Sequence, residues 1–228
     1  MTAEPHEIAV RFFLDLVPEL APRFNIAPGQ EICAVLPNPV SDGRLARFLV
    51  WGLKLPWLDG RPDPPKLINA RGETVGEKPA FREAFARRRC LIPVSGFYEW
   101  QKRDDGKQPF YFSARDGRLL ALAGLWESHD YPGNRRIDSC TIVTCAANGV
   151  MRPVHHRMPV ILPEKDWELW LTLPPDKAAD LHALLIPAAA DILRAWPVTR
   201  EMGNPSFDEP ACVEPIWDDP DGQMNLFG

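Results

Sequence analysis

CLIPVSGFYEWQKRDDGKQPFYFSARDGRLLALAGLW, residues Cys90–Trp126, is the stretch whose reading decides the fold. It holds four strand signals in succession: Cys90–Val94, Phe97–Lys102, Phe110–Ala114 and Leu119–Trp126. Asp104-Asp105-Gly106 and Asp116-Gly117 supply hairpin turns between them. Short turns join antiparallel neighbours, so this block predicts a meander rather than alternating strands and helices.

Reading outward, Ile32–Leu36, Leu45–Leu53, Ser139–Cys145, Met158–Leu162 and Ile192–Val198 add further strands. Glu4–Leu16 predicts an amphipathic helix with Ile8, Phe12 and Leu16 inward, stopped by Pro18 and Pro22. Pro79–Arg89 predicts a second helix, with Arg87-Arg88-Arg89 in its last turn where the macrodipole favours cations. Pro163–Leu171 and Pro175–Leu185 predict two more. Lys54–Pro65, carrying Trp57, reads as a loop. The class is α+β: a largely antiparallel, barrel-like sheet with a few flanking helices, one domain over residues 1–216. Residues 217–228 read as a flexible acidic tail.

Composition narrows the rest. Proline is frequent, at 25 residues, yet Gly and Pro together make 40 of 228, short of a disordered chain. Five cysteines, an odd number without a CxxC pair, point to free buried thiols in a reducing cytoplasm. No run reaches the length of a membrane span, and no export signal opens the chain. The net charge is −5, but residues 201–228 hold seven acids and no Lys or Arg, leaving the body at +2. Nucleic acid is therefore an admissible partner.

Three polar groups interrupt the apolar framework. Glu99 stands between Tyr98 and Trp100 in a strand. Burial there would raise its pKa towards the range useful for proton transfer; the alternative is a strand Glu facing solvent. Asn69 and Arg71, at i and i+2, would share one face of an extended segment. An amide beside a guanidinium suits a sugar–phosphate, or a loop tied to its own backbone. In Val154-His155-His156-Arg157-Met158-Pro159, adjacent histidines on a strand would face opposite ways, so one could reach a pocket. His155 reads as an acid–base group, or as a hydrogen-bonded structural histidine. No metal-binding spacing, phosphate-binding glycine loop or serine-hydrolase elbow is present, so no metal or cofactor is expected. Cys90, within an apolar run, reads as core rather than nucleophile.

Asn69-x-Arg71, Gly96-Phe97-Tyr98-Glu99-Trp100 and His155-x-Arg157-Met158-Pro159 together resemble the SRAP family, the SOS-response-associated peptidases or abasic-site-processing proteins. The resemblance runs from Arg23-Phe24-Asn25-Ile26-Ala27-Pro28 to Asn204–Pro215 in consistent order. It implies a single α+β domain, acting as a monomer, with a basic groove for single-stranded DNA carrying abasic sites. It implies Glu99 and His155 as an acid–base pair assisted by Asn69. Arg71 and Arg157 would hold phosphates, and Trp57 and Thr144 would line the DNA path. In the family, the initiator methionine is removed by the protein itself. A following cysteine then condenses with the ring-opened abasic aldehyde to form a protective thiazolidine crosslink.

This chain begins Met1-Thr2-Ala3-Glu4, without that cysteine. Two readings stay open. In one, the natural start lies upstream of Met1 and supplies the cysteine. In the other, the chain is a catalytically reduced module for single-stranded DNA. Thr2 could then offer only an amine and a hydroxyl, a poorer nucleophile than a thiolate. Gln223-Met224-Asn225-Leu226-Phe227 resembles the Gln-x-x-Leu-Phe peptides that dock on the bacterial sliding clamp. Gln223, Leu226 and Phe227 are the clamp-binding residues that this resemblance implies.

Overall fold

A computed structural model describes residues 2–16, 19–58, 64–131, 133 and 135–216. The meander read from Cys90–Trp126 is present, but its strands divide between two sheets. β4 (Arg89–Val94) and β7 (Leu120–Tyr131) pair with each other, from Arg89 opposite Leu125 to Val94 opposite Leu120. β5 (Gly96–Arg103) and β6 (Gly106–Ala114) form a separate hairpin, whose Gly106 turn residue has φ of 121°. Ser95 and Gly96 are the crossing point between the sheets. A Cβ on Gly96 would lie 2.4 Å from the Phe112 carbonyl oxygen and 2.4 Å from the Tyr111 ring, so only glycine fits there.

The larger sheet is completed by β1 (Glu31–Pro37), β2 (Arg44–Trp51), β3 (Asn69–Arg71), β8 (Arg135–Ala146) and β9 (Arg157–Pro159). Its order is β2-β1-β4-β7-β8-β3, with β9 also on β8. β2 additionally pairs in parallel with β8, at Val50–Ser139 and Trp51–Cys140, which closes the strands into a ring. β3 joins β8 in parallel as well, with Arg71 opposite Thr144. β8 is thus the hub: β7 and then β9 run antiparallel to it, and β2 and β3 run parallel. The smaller sheet, β10-β6-β5, ends on β10 (Leu193–Pro197).

The helices are shorter than their sequence signals. α1 covers Pro5–Phe12 and stops before either proline, because Phe13 turns left-handed (φ 55°) and its N–H bonds to the Ala9 carbonyl. Ile8 and Phe12 are buried as expected, but Leu16 lies beyond the helix and is 79% exposed. α2 covers only Arg82–Arg87. The three arginines at its end therefore separate. Arg87 stays on the helix and pairs with Glu83 at 3.0 Å, Arg88 bonds the buried Glu127 at 2.7 Å, and Arg89 opens β4. The expected Pro163–Leu171 helix is a 3-10 turn followed by α3 (Trp167–Thr172), and Pro175–Leu184 winds as 3-10 helix throughout.

The main core lies between the ring and these helices. Phe12 stacks on Trp167 at 4.7 Å, and Trp170 donates to the Cys90 carbonyl at 2.9 Å. A second, small core of Tyr111, Val198, Met202 and Cys212 fastens the closing segment to the smaller sheet. All five cysteines are buried and unpaired, and burial pushes the Cys33 and Cys140 thiols up to about 12. Such thiols are protonated core groups rather than nucleophiles. Among the described residues, no helix is long and apolar enough to cross a membrane.

Candidate functional site

The two sheets leave a cavity of about 530 Å³ between them. Its walls come from the turn Phe24–Pro28, from Trp51 and Ile68, from β5, and from the closing segment at Met202–Val213. The roof over it is tied down by Asn25 and Asp208. Buried Asn25 donates through Nδ2 to the carbonyls of Met202, Asn204 and Phe207 at 2.7, 3.1 and 3.0 Å. Asp208 accepts from the N–H groups of Phe24 and Asn25 at 2.6 and 2.8 Å, and from the Arg23 guanidinium. Burial works to raise the Asp208 pKa, but the Arg23 bond and those two N–H groups outweigh it and hold the carboxyl low. Tyr98 adds a bond from its hydroxyl to the Phe24 carbonyl at 2.6 Å.

Four of the residues singled out in the sequence line this one cavity: Asn69 from β3, Glu99 from β5, Thr144 from β8, and His155. They lie as much as 86 residues apart in the chain. Glu99 Oε1 faces His155 Nδ1 at 3.6 Å, with 25% and 34% of their side chains exposed. Burial among apolar walls raises the Glu99 pKa; His155 and the Trp100 N–H oppose this without cancelling it. The site therefore holds a carboxyl that keeps its proton to higher pH than usual, beside an imidazole. That pairing suits proton delivery to an oxygen and removal from an attacking group.

His155 is not on a strand. It follows a turn shaped by Asn148, whose Oδ1 accepts the Met151 N–H at 3.0 Å, and His155 N–H bonds to the Met151 carbonyl at 3.0 Å. The expectation of opposite-facing histidines fails for that reason. The His155 and His156 rings lie 4.4 Å apart, and His155 alone of the two lines the cavity.

Arg71, Arg157 and Trp57 are not part of the cavity lining. Arg71 is exposed on β3 with Ala70 buried between it and Asn69, as the i, i+2 spacing predicts. Trp57 is 55% exposed on the loop after β2. The Arg157 guanidinium is turned to protein partners: it forks onto the Glu73 carboxylate at 2.5 and 2.8 Å and donates to the Thr144 carbonyl at 2.7 Å. Gln223, Leu226 and Phe227 lie outside the described residues.

Three contributors, Asn25, Asp208 and Glu73, have no role assigned from the sequence, where Thr2 is already noted for its amine and hydroxyl. Thr2 lines the cavity, its N–H and hydroxyl both 3.0 Å from Ser95 Oγ. Asn25 and Asp208 shape the roof without any motif signal of their own. Glu73 was legible as the one carboxylate inside the Asn69–Thr74 cluster, a natural partner for a nearby arginine. Among the described residues, no three His, Cys, Asp or Glu side chains group closely enough to hold a metal ion.

These features define a class: a mixed α/β domain whose strand ring and side hairpin enclose a carboxyl and an imidazole, 3.6 Å apart, in an apolar cavity. The chain belongs to the SRAP family, described as SOS response associated peptidase, whose model matches residues 1–205. It is 37% identical over 197 residues to the abasic site processing protein YoqW of Bacillus subtilis, covering 86% of this chain and 87% of that one. It is 30% identical over 201 residues to the abasic site processing protein HMCES of Gallus gallus, covering 77% of this chain and 59% of the relative. A crystal structure of a protein from Bacteroides thetaiotaomicron shares the fold with a TM-score of 0.81 at 24% identity, covering 95% of this chain and 98% of that one.

Proposed function

We propose that this chain binds single-stranded DNA at an abasic site and draws the ring-opened sugar aldehyde into the cavity. The observation that carries this reading is the Glu99–His155 pair at 3.6 Å inside an apolar enclosure. Protonated Glu99 would donate to the aldehyde oxygen as an amine attacks the carbon, and His155 would take the proton that the amine releases. Loss of water then leaves an imine, the first covalent link between protein and DNA. Asn69 would orient the sugar oxygens, Arg71 would supply the cationic rim for phosphates, and Trp57 and Thr144 would border the strand, while Arg157, expected from the sequence at that rim, is committed to Glu73 instead.

The attacking amine in this reading is the one exposed when Met1 is removed. Residue 2 already lies in the cavity against Ser95. A thiol there would close a thiazolidine; the Thr2 hydroxyl could close only an oxazolidine. Two readings follow, a crosslinking protein and a binding module of reduced reactivity. Incubation with a single-stranded oligonucleotide carrying one abasic site, followed by denaturing electrophoresis, separates the two. A shifted band that needs the aldehyde supports the crosslinking reading. Preferential binding without a shifted band supports the reduced module, and no preference for the abasic strand sinks both.

We propose further that Gln223, Leu226 and Phe227 dock on the sliding clamp. The combined substitution Leu226→Ala and Phe227→Ala should then abolish clamp binding measured by surface plasmon resonance. Unchanged affinity would end that idea.

A further inference from the structure

Glu73 sits in the 3-10 turn Gly72–Thr74 that follows β3, outside the cavity. Its two carboxylate oxygens take both terminal nitrogens of Arg157, at 2.5 and 2.8 Å. A planar fork of this kind fixes orientation as well as position. The Arg157 Nη2 also reaches the Thr144 carbonyl at 2.7 Å and its hydroxyl at 3.2 Å, and only 19% of the side chain is exposed. The turn can approach β8 this closely because residue 72 is glycine: a Cβ there would lie 3.2 Å from the Thr144 carbonyl oxygen and 3.1 Å from Leu185.

The main chain of Arg157 frames the imidazole of His155. The Arg157 N–H lies 3.2 Å from His155 Nδ1, and the Arg157 carbonyl oxygen lies 3.1 Å from it. The N–H serves a neutral ring by donating to an unprotonated Nδ1, which places the ring's proton on Nε2. The carbonyl serves an Nδ1–H by accepting from it, whether in the other neutral tautomer or in the protonated ring. Residue 157 therefore meets His155 in either state, provided its backbone stays where it is. Its pairing opposite Ala146 on β8 and the guanidinium fork hold it there.

We infer that Glu73 is a positioning residue: by gripping Arg157 it fixes the backbone that orients His155 towards Glu99. This rests on the acid–base reading of that pair. The Arg157 bond holds the Glu73 carboxyl below the usual carboxylate range, so the fork stays charged throughout neutral pH. Among the described residues, Glu99 and His156 are the titratable side chains in contact with His155, and Arg157, whose main chain meets its ring, is the residue tied to Glu73.

The test is imidazole ¹⁵N NMR across pH on the full chain, comparing wild type with Glu73→Gln and Arg157→Lys. In wild type, neutral His155 should show one fixed balance between its two tautomers. Both variants should shift that balance and broaden the His155 signals, with the His6 and His129 signals unmoved. Thermal melts confirm that each variant is folded; Arg157→Lys, which keeps the charge but loses the fork, stands in if Glu73→Gln does not fold. Unchanged His155 signals in folded variants overturn the inference. Binding of unmodified single-stranded DNA supplies a second readout. Positioning predicts affinity within about twofold of wild type, whereas a Glu73 that merely competes with phosphate for Arg157 predicts tighter binding in Glu73→Gln, which also overturns it. If adduct formation occurs at all, the Glu73→Gln rate should fall roughly 10- to 100-fold, as misplaced catalytic groups do. Wild type that ignores abasic DNA while its NMR behaves as expected would refute the proposed function and leave the positioning intact.

Discussion

Arg89 and Glu99 stand on consecutive strands, and the molecule treats their charges in opposite ways. Arg89 is 3% exposed and completely answered. Its guanidinium donates to the carbonyls of Phe85 and Ala86 at the end of α2, and of Trp170 and Leu173 at the end of α3, at 2.5–2.8 Å. Two helix C-termini, each with unsatisfied carbonyls and a negative dipole end, surround one cation. Glu99 is less buried, yet it receives only one imidazole at 3.6 Å and the Trp100 N–H among apolar walls, too little to offset its burial. The fold can satisfy a buried charge fully, and in the cavity it does not. That contrast sets Arg89, a clamp for the fold, apart from Glu99, whose charged form the cavity leaves poorly served, as the proposed acid–base role requires.

The contrast can be broken in order of effect. Arg89→Met should cost the most stability, roughly 3–5 kcal/mol, because it strands four buried carbonyls at once; chemical denaturation measures this, and a loss under 1 kcal/mol would refute the clamp. Glu99→Gln should do the reverse. It should reduce reaction with abasic DNA by at least about 10²-fold while leaving the fold at least as stable. The sign follows from linkage: the folded pKa of Glu99 is raised, so its unfolded form releases the proton first, and wild type loses stability as pH rises through that window. The gain in melting temperature from Glu99→Gln should thus be present at neutral pH and vanish as pH falls below about 4. A gain that grew on acidification would contradict the raised pKa.

Asn25→Ala should fall between the two, at about 1–3 kcal/mol. It frees three carbonyls that hold the cavity roof, and hydrogen exchange should quicken in residues 202–208 before it does in β4 and β7. Uniform quickening would show that the roof is not a separate unit. Gly96→Ala should cost about 1–3 kcal/mol through overpacking against Phe112 and Tyr111, detected in the same denaturation assay.

Much of this was legible in the sequence, for physical reasons. Strands announce themselves locally, by alternation and by Asp-Gly turns, so β4 to β8 fell within a few residues of their expected bounds. The parallel joins of β2 and β3 to β8 carry no local signal, since nothing near Trp51 or Asn69 names a partner some 70–90 residues away. The closure into a ring was therefore expected only in outline. Helix ends slipped where a single residue decided them: Phe13 in a left-handed turn ended α1 early, against the pull of an apolar spacing that includes Leu16. At the site, Asn69, Glu99 and His155 stood out as polar residues in apolar surroundings. Arg157 stood out equally, but as a motif residue it gave no hint that Glu73 would occupy its guanidinium. Asn25 stayed invisible because an asparagine bonding three carbonyls resembles any loop asparagine until the loops are folded.

Whether the cavity holding Glu99 and His155 receives an abasic sugar, as proposed, is read most directly from binding. Fluorescence anisotropy should compare a single strand carrying one abasic site with the same strand intact, for wild type and for His155→Ala. Wild type should prefer the abasic strand about tenfold or more, equivalent to about 1.4 kcal/mol, and the variant should lose that preference. Equal affinity for both strands, or a preference that survives His155→Ala undiminished, would contradict that proposal.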